Sequence, residues 1–208
     1  MGSPVEARMA DTRMIRTTKM NFMNDPDTSP DETSVTSDSA GPQQLPDNQP
    51  IAPSNEDIAT AYHEAGHAIV ALSLGRSVEK LSIVRNSIRL GVVQLGKGRN
   101  GRKQDYFETE ALILLGGLVS EARYTGQYNW GGAQQDLMSL RRLSLARVDT
   151  EAKAERLERR LLDKTSHHLD QDGHWEAVEA VAAELIKSKL ISGRAARQLF
   201  EECMRRVD

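Results

Sequence analysis

Apolar side chains recur at regular spacing from about residue 54 onwards and at no regular spacing before it. Ile58, Ala61, Tyr62, Ala65, Ile69 and Leu72 follow the period of one helix face and predict a helix over 54–74. Ser54, followed three residues later by Asp57, makes a capping-box-like start, and Gly75 supplies the stop. Residues 80–84 and 88–95 are rich in β-branched and apolar side chains and are divided by Arg85, Asn86 and Ser87, which predicts two or three strands. Residues 96–104 form a basic, glycine-rich segment suited to a flexible hairpin tip. Phe107, Ala111, Leu114, Leu118 and Ala122 mark a second helix over 106–124, and a loop over 126–132 leads to a third over about 133–147. Two or three amphipathic helices fill 149–206, punctuated near Asp172-Gly173 and Ser192-Gly193, and there is no internal repeat. The expected class is mainly α with a small β-sheet or hairpin.

Composition sharpens the division near residue 54. All seven prolines of the 208-residue chain lie between Pro4 and Pro53. Only six of the first 54 residues are Val, Ile, Leu or Phe, too few to bury a core, and 8 acidic against 4 basic side chains leave a net charge of −4 there. We therefore expect a disordered acidic, proline-bearing tail over 1–53 and a folded domain over 54–208. That domain is nearly neutral, with 23 basic and 22 acidic residues, so no net attraction to nucleic acid is expected. No run approaches the roughly 18 apolar residues of a membrane span, and no secretory signal follows the scattered basic residues at the start. With Cys203 as its single cysteine, the chain has no need of an oxidising compartment, and a cytoplasmic location is expected.

The first helix contains His63-Glu64-Ala65-Gly66-His67. Imidazoles four residues apart on a helix share a face and reach one ion, and Glu64 projects beside it where it can hold a metal-bound water. The helix is apolar nearly all round, so buried His and Glu side chains there need partners. Zinc in a catalytic site takes three protein ligands, so a third is missing. Candidates are Glu108, Glu110, Glu121, Asp136 and the group His167, His168 and His174. The histidine group sits in a polar stretch that reads as a solvated turn. Glu121 follows a buried Leu-rich run, and Asp136 begins a helix where the positive helix end favours a carboxylate. Spacing alone does not separate these two.

Residues 61–68 (AYHEAGHA), the Leu114-Leu115-Gly116-Gly117 run with Glu121, and the Gly132-Ala133-Gln134-Gln135-Asp136-Leu137 segment together resemble the zinc peptidase domain of the FtsH-type AAA+ proteases. Leu90-Gly91-Val92-Val93-Gln94 resembles that family's strand beside the active-site cleft, and the closing helices resemble its C-terminal segment. The resemblance covers about residues 55–205. It implies a zincin-like helical bundle carrying the HExxH helix, one Zn2+ held by His63, His67 and Asp136, and Glu64 as catalytic base. It also implies a polypeptide substrate laid along Leu90, Gly91, Val92 and Val93, and assembly as a homo-oligomer. The chain departs from the family's pattern at Trp130 and Gly131, where hydroxyl residues are usual. The basic loop lacks the Gly-Lys-Ser/Thr ending of a phosphate-binding loop, so the expectation is a peptidase unit without the family's ATPase and membrane anchor. Such a unit would act on extended chains, or on substrates delivered by a separate ATPase. A metal-stabilised binding or regulatory module is the competing reading, although such a module has no need of Glu64.

Overall fold

The computed structural model describes residues 52–84, 91–96 and 105–207. The acidic tail, the strand segment around Leu90 and the basic loop 97–104 lie outside the described residues. Helix α1 runs Asn55–Ser73, and its start has the expected cause: Ser54 Oγ accepts from the Asp57 N–H at 3.1 Å, while Glu56 and Asp57 face the positive helix end. Gly75, at φ 76°, turns the chain out of it. Helix α2, Tyr106–Thr125, is capped by the Asp105 side chain and closed by Gly126 at φ 83°. Helices α3 (Gln134–Arg147), α4 (Glu151–Leu169), α5 (His174–Ser188) and α6 (Gly193–Met204) complete the helical part, in agreement with the periodicity.

Three short strands, β1 (Val78–Ser82), β2 (Val92–Leu95) and β3 (Leu190–Ser192), form an antiparallel sheet in the order β2-β1-β3. Leu81 pairs with Val93 on one side and with Ile191 on the other. Strand β1 lies two residues earlier than its apolar run suggests, and Val84, expected within it, is 57% exposed. Pairing decides this boundary, because β3 begins opposite Ser82, at Leu190, and the next N–H along β1, that of Ile83, bonds the Lys189 carbonyl outside the ladder. Strand β3 has only three residues, too short to show alternation, and exists because β1 offers it an edge. Among the described residues the outer edge of β2 has no neighbouring strand.

Helices α1 and α2 form the centre of the bundle, with α5 across α1 and α4 against α2. Ile69, Leu81, Leu118, Leu140, Leu169, Val178, Val181 and Leu185 are fully buried between these elements. The α1–α2 crossing is close enough to bring backbone against backbone. A Cβ on Gly66 would run into the Gly116 carbonyl oxygen and lie 2.7 Å from Ser120 Cβ, and one on Gly116 would lie 2.8 Å from the Gly66 oxygen. A backbone obstacle cannot rotate away. Gly66→Ala is therefore expected to destabilise the fold by about 1–3 kcal/mol, despite the roughly 1 kcal/mol that alanine gains in helix propensity. Thermal unfolding of the two proteins measures the difference; an unchanged or raised Tm contradicts the crossing described here. No described helix is long and apolar enough to cross a membrane.

Candidate active site

Helix α1 presents His63 and His67 one turn apart, with ring centroids 4.7 Å from each other and both side chains buried. Each ring is held from behind through Nδ1. His63 Nδ1 donates to Glu121 Oε2 on α2 at 2.9 Å, and His67 Nδ1 donates to the Ile113 carbonyl at 2.7 Å. These bonds fix the ring orientations and leave the two Nε2 atoms facing forward. Helix α3 brings Asp136 to that side in its first turn, with Oδ2 at 3.2 Å from His63 Nε2 and 3.4 Å from His67 Nε2. Among the described residues this is the group of His, Cys, Asp and Glu side chains able to converge on one ion. A tetrahedral zinc ion with bonds of about 2.0–2.1 Å spaces its donors about 3.3 Å apart, so donor type and the two His–Asp spacings fit that metal.

The two imidazoles occupy this position because α2 carries no side chain at Gly117. A Cβ there would lie 2.5 Å from His67 Nε2 and 2.7 Å from both His63 Nε2 and Cδ2. Glu64 is 6% exposed beside His63, and the backbone at Gly91 closes on its carboxylate: a Cβ on Gly91 would stand 2.8 Å from Glu64 Cγ and 2.9 Å from Cδ. Gly91 thus joins the site through its backbone, with half-buried Val92 and Val93 continuing into β2. Leu90 lies outside the described residues.

The remaining third-ligand candidates are placed elsewhere. Glu108 pairs with Lys164, and Glu110 with Arg76. His167 is exposed. His174 is buried, contrary to the solvated turn expected there, and donates from Nδ1 to the His168 carbonyl at 2.6 Å. His168 Nε2 meets Ser73 Oγ at 2.7 Å, and its pKa is lowered to about 4 by burial, then by the charges of His174, Lys164 and His167. These two histidines join the α4–α5 turn to α1. Glu121 stands on the opposite side of the His63 ring from Asp136. Gly117 and Asn129, whose Nδ2 donates to Glu121 Oε1 at 2.9 Å, were missed from the sequence. A glycine inside a helix is itself a signal of close approach, and Gly117 carries that signal. Asn129 carries no such signal.

Three carboxylates, Glu64, Glu121 and Asp136, surround the two rings. Burial by itself would lower the His63 pKa; hydrogen bonds to Asp136 and Glu121 and the Glu64 charge outweigh it and raise the value to about 10 in the metal-free protein. Asp136 is held well below the usual carboxylate range by its contacts with His63 and His67, although burial opposes this. A raised histidine pKa contributes stability that is complete below the unfolded value near 6.5 and is lost as pH rises through about 10. The metal-free protein is accordingly expected to lose stability as pH rises from 6.5 to about 10. Denaturant melts of chelator-stripped protein across this range test it, and a flat profile that His63→Gln leaves unchanged contradicts it.

A buried HExxH helix faced by a carboxylate from a third helix is the architecture of a zinc-peptidase-type centre. Comparison with known sequences gives the family. The sequence model of peptidase family M41 matches residues 51–167, more than half of the chain, and the chain belongs to that family. Its relatives include proteins named ATP-dependent zinc metalloprotease FtsH. That of Caulobacter vibrioides is 42% identical over 83 residues, 38% of this chain and 13% of the relative. That of Protochlamydia amoebophila is 33% identical over 98 residues, 45% of this chain and 11% of the relative. FtsH 1 of Thermomicrobium roseum is 24% identical over 188 residues, 71% of this chain and 29% of the relative. The matched part of this chain therefore spans less than a third of the length of these relatives.

Proposed function

We propose that the chain is a zinc-dependent metalloendopeptidase that hydrolyses peptide bonds in unfolded or extended polypeptides. The observation that carries this is the convergence of His63 Nε2, His67 Nε2 and Asp136 Oδ2 beside a buried Glu64. His63, His67 and Asp136 would hold the ion. Zinc in such a donor set supplies Lewis acidity, which acidifies water and draws charge from a peptide carbonyl. Glu64 takes the proton of the attacking water at its carboxylate and later returns it to the leaving amine. Glu121 and the Ile113 carbonyl keep both rings turned forward throughout. A substrate strand added to the outer edge of β2 would be bound through its backbone, with Gly91 letting it approach Glu64; this mode selects chains that are already extended.

No phosphate-binding loop of the Gly-Lys-Ser/Thr kind occurs in these 208 residues, so hydrolysis by them is proposed to proceed without ATP. Folded substrates would then need a separate unfoldase. Incubation with casein tests the function. Cleavage is expected, its loss on treatment with a chelator is expected, and about one equivalent of zinc per chain should restore it. Zinc bound at one per chain with no cleavage of casein or of varied peptides would instead favour the binding-module reading.

A further inference from the structure

One polar side chain behind the candidate donors touches both halves of the site. Asn129 lies in the turn between α2 and α3. Its Nδ2 donates to Glu121 Oε1 at 2.9 Å, and its Oδ1 accepts from the Gly132 N–H at 2.9 Å. Its backbone carbonyl accepts from the N–H of Ala133, the residue that precedes α3, at 3.2 Å. The other Glu121 oxygen accepts from His63 Nδ1. Hydrogen bonds therefore run without a break from one nitrogen of the His63 ring to the start of α3, whose first turn returns Asp136 to the other nitrogen of that ring. We propose, on the basis of the metal-centre reading above, that Asn129 is a positioning residue. It locks the His63 ring and the N-terminus of α3 into one register and so sets the His63–Asp136 spacing that an ion requires.

The chemistry of the position explains why a carboxamide stands there. Glu121 can only accept and is 5% exposed, whereas the Gly132 N–H can only donate. One end of an asparagine serves both, and these partners fix which way its amide points. A carboxylate at 129 would satisfy Gly132 but set a second negative charge against Glu121. Asn129 is itself exposed, so an alkyl side chain would give up this Glu121 oxygen to solvent, which cannot hold the carboxylate and the turn in one register as the amide does. Ala133 offers no side-chain cap to α3, and Asn129 joins the Gly131 carbonyl, which accepts from the Gln134 N–H, in anchoring the turn from which α3 starts. Gly132 completes the fit: a Cβ on it would lie 2.5 Å from Asn129 Nδ2 and 2.9 Å from Cγ, so the amide lies flat against a residue without a side chain.

The test uses the full chain and four variants: Asn129→Ala, Asn129→Asp, Gly132→Ala and the double change Glu121→Gln/Asn129→Asp. Zinc affinity is measured by competition with a chromophoric chelator. The visible spectrum of the cobalt-loaded protein reports donor geometry, and circular dichroism and Tm of the metal-free protein report folding. The single Asn129 variants are expected to bind zinc about 10–100-fold more weakly, with a shifted cobalt band. Gly132→Ala pushes the Asn129 amide aside from the other end of the link and is expected to do the same, which keeps the test open should an Asn129 variant fail to fold. The double change exchanges donor and acceptor across the Glu121–Asn129 contact, and should bind zinc at least about tenfold more tightly than Asn129→Asp alone. Folded Asn129 or Gly132 variants with wild-type zinc affinity and an unshifted cobalt spectrum, whatever their Tm, overturn the positioning role. Wild-type protein that binds neither metal overturns the metal-centre reading and this proposal with it.

Discussion

Glu64→Gln is expected to lower cleavage of an unfolded substrate by about 10²–10⁴-fold while leaving zinc content at one per chain. The two carboxamide and carboxylate side chains have nearly the same size, so the close approach of the Gly91 backbone to Glu64 survives the change. The three converging donor atoms belong to His63, His67 and Asp136, and metal retention should not depend on Glu64. What the substitution removes is a proton acceptor at the reacting centre, a loss that appears in kcat and not in binding. Casein cleavage and zinc content, measured on both proteins side by side, separate these effects. Equal cleavage by the two zinc-loaded proteins would remove Glu64 from the base role, and the loss of zinc along with activity would make it a part of the binding site.

Gly117→Ala is expected to reduce zinc affinity by about 10²-fold, the upper end of what losing a supporting contact of the metal costs. Three opposing terms decide the outcome. Alanine gains about 1 kcal/mol over glycine in a helix interior, and overpacking a tight core costs about 1–3 kcal/mol. The third term is positional. The new methyl would meet His67 Nε2 at 2.5 Å and His63 Nε2 at 2.7 Å, which are the two nitrogens proposed to bind the ion. Both rings are tethered through Nδ1 to α2 itself, so neither can retreat without breaking its bond to Glu121 or to the Ile113 carbonyl. Folding should thus suffer moderately and metal binding severely. Chelator competition and thermal unfolding of the metal-free protein read the two separately, and tight zinc binding by the variant would show that the imidazoles lie farther from α2 than described.

The helices were legible in the sequence because their causes are local. Ser54 caps α1 through a hydrogen bond to a residue three positions away, Gly75 and Gly126 adopt left-handed φ where α1 and α2 end, and apolar side chains recur at helical spacing along α1 and α2. The sheet was only half legible. Strand β3 and the true limits of β1 depend on pairing between segments more than a hundred residues apart, and three residues carry no period of their own. The turn holding His168 and His174 looked solvated because its neighbours in sequence are polar; Phe200 on α6 and Ser73 on α1, both distant in the chain, cover it.

The candidate site divides in the same way. An HExxH spacing on one helix already places two imidazoles on one face and a carboxylate beside them, because the helix period is the whole of that geometry. Spacing could not rank Glu121 against Asp136, since the choice depends on which ring nitrogen each approaches. In the fold Glu121 stands at His63 Nδ1 and Asp136 at His63 Nε2, so one braces the ring and the other shares its open side with His67. That difference arises from the closeness of α1 and α2, which the glycines permit, and from the Asn129 turn that leads into α3. Short-range order and the candidate groups proposed for the site were present in the order of residues. Their convergence was decided by tertiary packing, because distances between α1, α2 and α3 are set by which side chains are absent at the crossings, and no local period records an absence.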